Sequence, residues 1–265
     1  MTMQRRELLA LGAALAVAGG ARAQVLDIND AINKAGRQRM LSQRCAKAYL
    51  ALGLDLADSG ARQVLDASLG LFDRQLVELK AFAPSPAIKA TYQELDAVWS
   101  AYKAALVGTK PARERVASLI DLDARVLALA HKGTGQYEAA SGKAQGKLVN
   151  IAGRQRMLSQ RCAKFYLALS WDAAVHDAKP ELDKARGEFI AAHRVLFEAP
   201  EATAAIRAEL DLAQNQWVFF ENALQLGNTA GQGARRASEV FRASENVLQV
   251  MDRVTGMYAR LNVAA

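Results

Sequence analysis

Arginines, a glutamine and a glycine recur at fixed spacing in a segment that the chain contains twice. Residues 35–52 read AGRQRMLSQRCAKAYLAL and residues 152–169 read AGRQRMLSQRCAKFYLAL, so the two copies differ only at Ala48 and Phe165. Guanidinium groups are planar forks of N–H donors that match planar oxyanions. The chemistry that these residues favour is therefore the binding of a small anion.

On a helix the repeated segment divides into three faces, because successive side chains are rotated by about 100°. An apolar face with Leu41 and Cys45 is predicted to face a core. A second, mostly polar face holds Arg37, Met40 and Arg44, with Arg154, Met157 and Arg161 as their copies. The third face has coiled-coil spacing and should contact another helix. We call its polar part the seam: Gly36, Arg39, Gln43, Gly153, Arg156 and Gln160.

The seam combines a close approach with a cationic group. Glycine costs about 1 kcal/mol in a helix interior relative to alanine, so Gly36 indicates that two backbones meet there. A buried Arg39 needs a partner, yet no acid occurs between Asp30 and Asp55, and the second copy shows the same gap. Two parallel copies would bring Arg39 and Arg156 face to face, and a bound anion would relieve their repulsion. The alternative is that these arginines pair with acids on other helices.

The pattern N-x-x-G-R-Q-R-M-L-S-Q-R, at 33–44 and 150–161, resembles the P-box of the PilJ/NarX-type periplasmic sensor domain. That domain heads nitrate/nitrite sensor kinases and methyl-accepting transducers of type IV pili. The resemblance implies a four-helix sensor bundle in which paired first helices share one anion. The arginine before the P-box methionine, here Arg39 or Arg156, would carry the contact. Arg37 and Arg154 stand where nitrate sensors have smaller or uncharged residues, which is similar to the pilus-transducer branch.

The elements around the motif are predicted to be entirely α-helical. The chain is rich in good helix formers, and no sustained period-two alternation occurs. Prolines at 84, 86, 111, 180 and 200 mark helix ends. The predicted helices are 26–58, 60–83, 86–107, 112–139, 146–177, 179–199, 201–226 and 233–262. They form two tandem antiparallel four-helix bundles, at 24–140 and 141–265.

Two features of the junctions bear on how the copies are arranged. The offset between matching residues grows from 117 (Gly36 to Gly153) to 121 (Tyr137 to Tyr258), which indicates an insertion, GNTAGQGA, at 227–234. The glycines of SGKAQG at 141–146 favour a turn that lays the first helices of the two copies parallel. If that segment stayed helical, the bundles would stack end to end.

The N-terminus is typical of an export signal. Arg5 and Arg6 precede an Ala/Gly-rich apolar run, and Ala21 and Ala23 supply the small residues for cleavage after residue 23. Residues 1–23 are therefore predicted to be a cleaved signal peptide of either the twin-arginine or the Sec route. No later segment has the ~18 apolar residues that span a bilayer. We expect a soluble periplasmic protein. The full sequence has a net charge of +7, of which the predicted signal peptide contributes +2 through Arg5, Arg6, Arg22 and Glu7, and the remaining basicity favours anionic partners. Nucleic acid is not expected outside the cytoplasm.

Other reactive residue types do not form a recognisable site. Cys45 and Cys162 fall on the core face and are predicted to be buried free thiols, although the compartment is oxidising. The three histidines, at 131, 176 and 193, are scattered without metal or haem spacing. No nucleophile motif or carboxylate pair stands out. We therefore predict no enzyme activity, no metal and no cofactor.

The leading hypothesis is a periplasmic sensor that binds a small oxyanion, such as nitrate or nitrite, at the seam of a monomeric pseudo-dimer. A membrane sensor kinase, transducer or transporter would read the resulting shift of the helices. Two alternatives remain. The basic face could dock an acidic partner protein without any small ligand, or two end-to-end bundles could act as a spacer.

Overall fold

A computed structural model describes residues 24–56, 59–225 and 233–261. The predicted signal peptide and most of the predicted insertion at 227–234 lie outside these ranges. Within them the chain is all-α, with eight α-helices and no strand. The helices are α1 (Ile28–Gly53), α2 (Ala61–Phe82), α3 (Pro86–Val107), α4 (Val116–Ser141), α5 (Ala144–Ser170), α6 (Ala178–Glu198), α7 (Ala204–Leu224) and α8 (Gly233–Ala259).

The main departure from the predicted bounds is at the ends of α1 and α5, which stop five and seven residues earlier than predicted. The backbone reverses at Asp55 (φ 52°) and Asp172 (φ 51°), in the left-handed region that aspartate tolerates better than most residues. The helix-capping N–H groups of Leu54 and Trp171 bond back to carbonyls of the last turn. The predictions at 58 and 177 were wrong: no proline marks either reversal, and the residues in the left-handed conformation are aspartates, although Gly53 ends α1. Helix α4 starts at Val116, after a 3₁₀ turn, Arg113–Arg115.

The eight helices form two four-helix bundles that lie side by side. Helices α1–α4 make the first and α5–α8 the second, and α1 packs most extensively against α5. Gly142, at φ 62°, caps α4 and reverses the chain. The predicted turn at 141–146 is thus confirmed, and α5 runs parallel to α1. The end-to-end arrangement, and with it the spacer built on it, is wrong because the two bundles share their longest interface.

The bundle cores repeat one aromatic arrangement. Phe72 stacks on Trp99 with ring centroids 3.6 Å apart, and Phe189 stacks on Trp217 at 3.8 Å. Cys45 and Cys162 are both buried and free, as predicted. Among the described residues, no helix combines the length and apolarity that crossing a membrane requires. These repeated cores hold α1 and α5 in matching positions.

Candidate functional site

The seam lies where α1 and α5 come closest. A Cβ placed on Gly36 would be 3.8 Å from the Cα of Gly153, and one on Gly153 would be 3.8 Å from the Cα of Gly36. The equivalence of these two distances shows that the helices meet in register around a pseudo-twofold axis. Both glycines are buried. The close backbone approach inferred from the sequence is therefore present.

The same point is lined by both seam arginines. The Nη2 atoms of Arg39 and Arg156 lie 3.2 and 3.5 Å from the position of a Cβ on Gly36. Neither side chain has any solvent exposure. Burial, together with the charge of Arg156, lowers the pKa of Arg39 to about 9. Two like charges are thus held together in a water-poor environment.

Arg39 is held by neutral groups. Its Nη2 donates to the main-chain oxygen (3.2 Å) and Oδ1 (2.7 Å) of Asn150, across the seam. Its Nη1 lies 3.2 Å from Nδ1 of His131. Because a guanidinium only donates, this ring nitrogen acts as the acceptor. Burial and the charge of Arg39 lower the pKa of His131, which keeps the ring neutral. Within the described ranges Arg39 has no salt bridge to a carboxylate.

Arg156 has the matching contact across the seam and, in addition, a carboxylate. Its Nη2 donates to the main-chain oxygen of Asn33 (3.0 Å), and its Nη1 lies 2.5 Å from Oδ1 of Asp252 on α8. Arg37 contacts the same carboxylate oxygen at 2.7 Å. Burial alone would raise the pKa of Asp252, but the two guanidinium charges outweigh it and bring the pKa to about 2. The two seam arginines are therefore electrostatically different.

Both arginines retain an unused donor. The Nε atoms of Arg39 and Arg156 are buried and have no hydrogen-bond partner. A charged donor in this state is costly unless a ligand or water supplies an acceptor. The two Nη2 groups already donate across the seam to Asn150 and Asn33, so the two Nε groups are the donors that remain for an oxyanion.

The remaining seam residues, Gln43 and Gln160, point toward the last helix of their own bundle. Nε2 of Gln43 donates to both carboxylate oxygens of Asp123 on α4, at 2.7 and 2.9 Å. Nε2 of Gln160 donates to the main-chain oxygen of Ser244 on α8 at 2.9 Å. The amide oxygens of both glutamines are buried without partners. The glutamines therefore lie one turn from the arginines but are engaged by α4 and α8.

The predicted supporting residues lie beside the seam. Met40 and Met157 are nearly buried, and each borders an outer cleft. The four supporting arginines are all ion-paired: Arg37 with Asp252, Arg44 with Glu245, Arg154 with Glu188, and Arg161 with Glu181. The expectation that the cationic segment lacks its own counter-ions is therefore wrong for these four and for Arg156. The acids are supplied by other helices: α6, the next helix in the chain, and α8.

A pair of buried lysines joins the two bundles. Lys47 on α1 lies 2.6 Å from Glu245 on α8, and Lys164 on α5 lies 2.6 Å from Asp123 on α4. Each ammonium group is also about 4 Å from the centre of an aromatic ring, Phe241 at 4.2 Å and Phe165 at 4.1 Å respectively. Phe165, the residue that breaks the repeat, thus does for Lys164 what Phe241 on another helix does for Lys47.

Sequence reasoning missed the residues that distinguish the two halves of the site. His131 was considered only as a metal ligand, and Asp252 was not considered at all. The signal that relates them is the 121-residue offset, since TGQY at 134–137 corresponds to TGMY at 255–258. By this offset His131 of α4 is equivalent to Asp252 of α8. Extending the repeat to the last helix of each copy would have shown that the two positions are equivalent, but not that they face the seam arginines.

Comparison with protein-family models supports the repeat and its resemblance. The model for the type IV pili methyl-accepting chemotaxis transducer N-terminal domain, PilJ, matches residues 21–122 and again residues 137–241. Comparison with curated proteins and with solved structures finds no match. The two matched segments include the helices that form the seam and cover most of the chain. The chain therefore belongs to the PilJ family of chemotaxis-transducer N-terminal domains, of which it contains two copies.

Proposed function

We propose that this chain is a periplasmic sensor that binds a small oxyanion, nitrate or nitrite, between α1 and α5. The observation that carries the proposal is the pair of fully buried guanidinium groups that meet at Gly36 and Gly153. Each has a buried Nε without a partner. A planar oxyanion between them would accept these hydrogen bonds and offset the repulsion between the two charges.

The contacts of the arginines also suggest how binding would be converted into movement. Arg39 bonds the main-chain oxygen of Asn150, and Arg156 bonds that of Asn33, so each guanidinium ties its own helix to the other. An anion that competes for these donors replaces direct ties between the helices with bridges through the ligand. The two arrangements differ in the spacing of α1 and α5, and the ligand shifts the population between them. A membrane kinase, transducer or transporter would read this spacing.

The asymmetry of the site favours a ligand of low charge. Asp252 already neutralises part of the charge on Arg156 and Arg37, whereas Arg39 faces only His131 and Asn150. A monoanion would therefore compensate Arg39, while a ligand of higher charge would meet the carboxylate of Asp252. This argument supports nitrate or nitrite over sulfate or phosphate at the seam.

A thermal-shift experiment at constant ionic strength tests the proposal, with nitrate and nitrite as ligands and chloride as the control anion. We expect nitrate or nitrite to raise the melting temperature of the wild-type chain above its value in chloride. The variants Arg39→Gln and Arg156→Gln should each lose this response. Arg125→Gln, which removes an exposed arginine of α4, is the matched control and should retain it.

Two outcomes would reject the site. If nitrate still stabilises a chain that carries both Arg39→Gln and Arg156→Gln, the ion binds elsewhere. If neither oxyanion stabilises the wild-type chain, the seam holds no such ligand, and the alternative of a ligand-free interaction module is favoured.

A further inference from the structure

Two clefts flank the seam on opposite sides and are related by the internal repeat. The first, which we call the α4/α5/α6 cleft, has a volume of about 280 Å³. The second, the α1/α2/α8 cleft, has a volume of about 390 Å³. Arg154, Met157 and Arg161 line the first, and their copies Arg37, Met40 and Arg44 line the second. Each cleft therefore has an equivalent cationic wall, formed by α5 in the first and by α1 in the second.

The opposite walls differ in charge. In the α1/α2/α8 cleft, α8 contributes Glu245 and Asp252. The 121-residue offset places Ala124 and His131 of α4 at the same positions in the α4/α5/α6 cleft. Both carboxylates of this wall are therefore missing from the α4/α5/α6 cleft, whose α6 side carries Glu188 where α2 has Leu71.

The loss of these carboxylates leaves the α4/α5/α6 cleft strongly cationic. The α1/α2/α8 cleft is lined by two arginines and two acids, whose charges cancel. The α4/α5/α6 cleft is lined by four cations, Arg39, Arg154, Arg161 and Lys184, and by a single acid, Glu188. Arg154 and Arg161 find partners on α6, in Glu188 and Glu181. Within the described residues, neither Arg39 nor Lys184 has a salt bridge.

The α4/α5/α6 cleft borders the guanidinium of Arg39, a buried group whose hydrogen-bond donors are not all used. Arg39 has no exposed surface, its Nε has no partner, and its Nη1 is held only by a neutral histidine. His131 itself is accessible to solvent. An anion that enters the cleft therefore meets His131 first, and the guanidinium of Arg39 lies directly behind that ring.

The lining of the cleft is part apolar and part cationic, and its cations are separated. Leu127, Ala128, Met157 and Ala185 line it together with the charged groups. Arg154 and Arg161 are two turns apart on α5, which is about 10 Å along the axis. Apolar lining combined with separated cations suits a ligand with a short hydrocarbon body and an anionic group at each end.

We propose that the α4/α5/α6 cleft binds a small organic dianion with two carboxylate groups. One carboxylate lies toward Arg39, His131 and Arg154, and the other toward Arg161 and Lys184. This site goes beyond the proposed seam function and does not depend on it: it shares Arg39 with the seam, but its other charged residues lie outside the seam. It is present once per chain, since the equivalent cleft is already neutralised by its own carboxylates.

Isothermal titration of the full chain with succinate, at constant ionic strength, tests this assignment. We expect one succinate per chain. His131→Asp introduces a carboxylate into α4 at the position equivalent to Asp252 of α8. It should weaken succinate binding by roughly tenfold or more, because the cleft then carries its own anion. This variant supplies Arg39 with a counter-ion, so it should not impair folding. Lys184→Gln should weaken binding severalfold, whereas Lys132→Gln, which removes an exposed cation outside the cleft, should leave it unchanged.

Three results would overturn the proposal. One is the absence of succinate binding to the wild-type chain. Another is binding that His131→Asp and Lys184→Gln leave intact, or that Lys132→Gln reduces as much as they do. The third is binding of inorganic phosphate with the same affinity and the same dependence on the variants, which would show that the organic body is not recognised. A nitrate response that persists in Lys184→Gln separates failure of this cleft from failure of the seam.

Discussion

Replacing Gly36 by alanine tests whether the close approach of α1 and α5 positions the seam arginines. The added Cβ would lie 3.2 Å from Nη2 of Arg39, 3.5 Å from Nη2 of Arg156 and 3.8 Å from the Cα of Gly153. The first distance is shorter than a normal contact, so the guanidinium of Arg39 must move. It is fully buried and held by Asn150 at 2.7 and 3.2 Å, so it cannot swing into solvent.

The expected energy follows from two opposing effects. Gly→Ala in a helix interior normally stabilises by about 1 kcal/mol. Displacing Arg39 weakens hydrogen bonds of a charged donor, each worth about 1.5–3 kcal/mol. We therefore expect a net destabilisation of about 1–2 kcal/mol, or a decrease in melting temperature of roughly 2–8 °C for a chain of this size.

Gly187 on α6 provides a matched control. A Cβ at this position would meet no atom within 4 Å, so Gly187→Ala should show only the gain in helix propensity and raise the melting temperature by about 2–4 °C. Thermal unfolding followed by circular dichroism measures both variants under the same conditions. Gly153→Ala should behave like Gly36→Ala, since its Cβ would lie 3.1 Å from Nη2 of Arg156.

The result that refutes this reasoning is a Gly36→Ala variant that is stabilised as much as Gly187→Ala. That outcome would mean that the two helices do not meet at the seam and that the arginines are not held there. If the variant is destabilised but keeps a full nitrate response, the packing argument stands, and nitrate binds at a site other than the seam.

Three further predictions concern other parts of the fold. Burial alone would raise the pKa of the Glu245 carboxyl, but Lys47 and Arg44 outweigh it and hold the pKa at about 2, below the ordinary 4.5. The contribution of this carboxylate to the free energy of unfolding, on the order of 2–3 kcal/mol, is therefore complete above about pH 5 and is lost as the pH falls toward 2. Denaturant midpoints measured across this range should fall less steeply in Glu245→Gln, and an unchanged slope would contradict the assignment. Asp55→Gly should stabilise by up to about 1 kcal/mol because the backbone there is left-handed, whereas Asp66→Gly, inside α2, should destabilise. Cys45 and Cys162 are buried, which raises the pKa of both thiols, so a thiol reagent should modify them only at the rate of unfolding; rapid labelling of the native chain would show that the core opens.

The helices themselves were largely predictable, because the sequence carries local signals for them. Composition, proline positions and the repeated motif indicated eight helices, and the observed bounds of α3, at Pro86–Val107, agree with the prediction. Errors arose where the local markers are weak, as at Asp55 and Asp172, where an aspartate and not a glycine takes the left-handed conformation and no proline follows. The turn at Gly142 was predictable because glycine readily adopts the left-handed conformation that it requires.

By itself, the sequence determined that the chain contains two copies of one helical unit, and which face of the first helix carries Gly36 and Arg39. The 3.6-residue period of a helix makes that face readable from spacing alone. Only the tertiary structure decided which charges remain unpaired. Arg37 meets Asp252 across 215 residues, because the last helix of the second bundle packs against the first helix of the chain, and spacing within one helix says nothing about such contacts. The seam was therefore visible in the sequence, whereas the difference between Arg39, which faces His131, and Arg156, which faces Asp252, arises from the packing of α4 and α8.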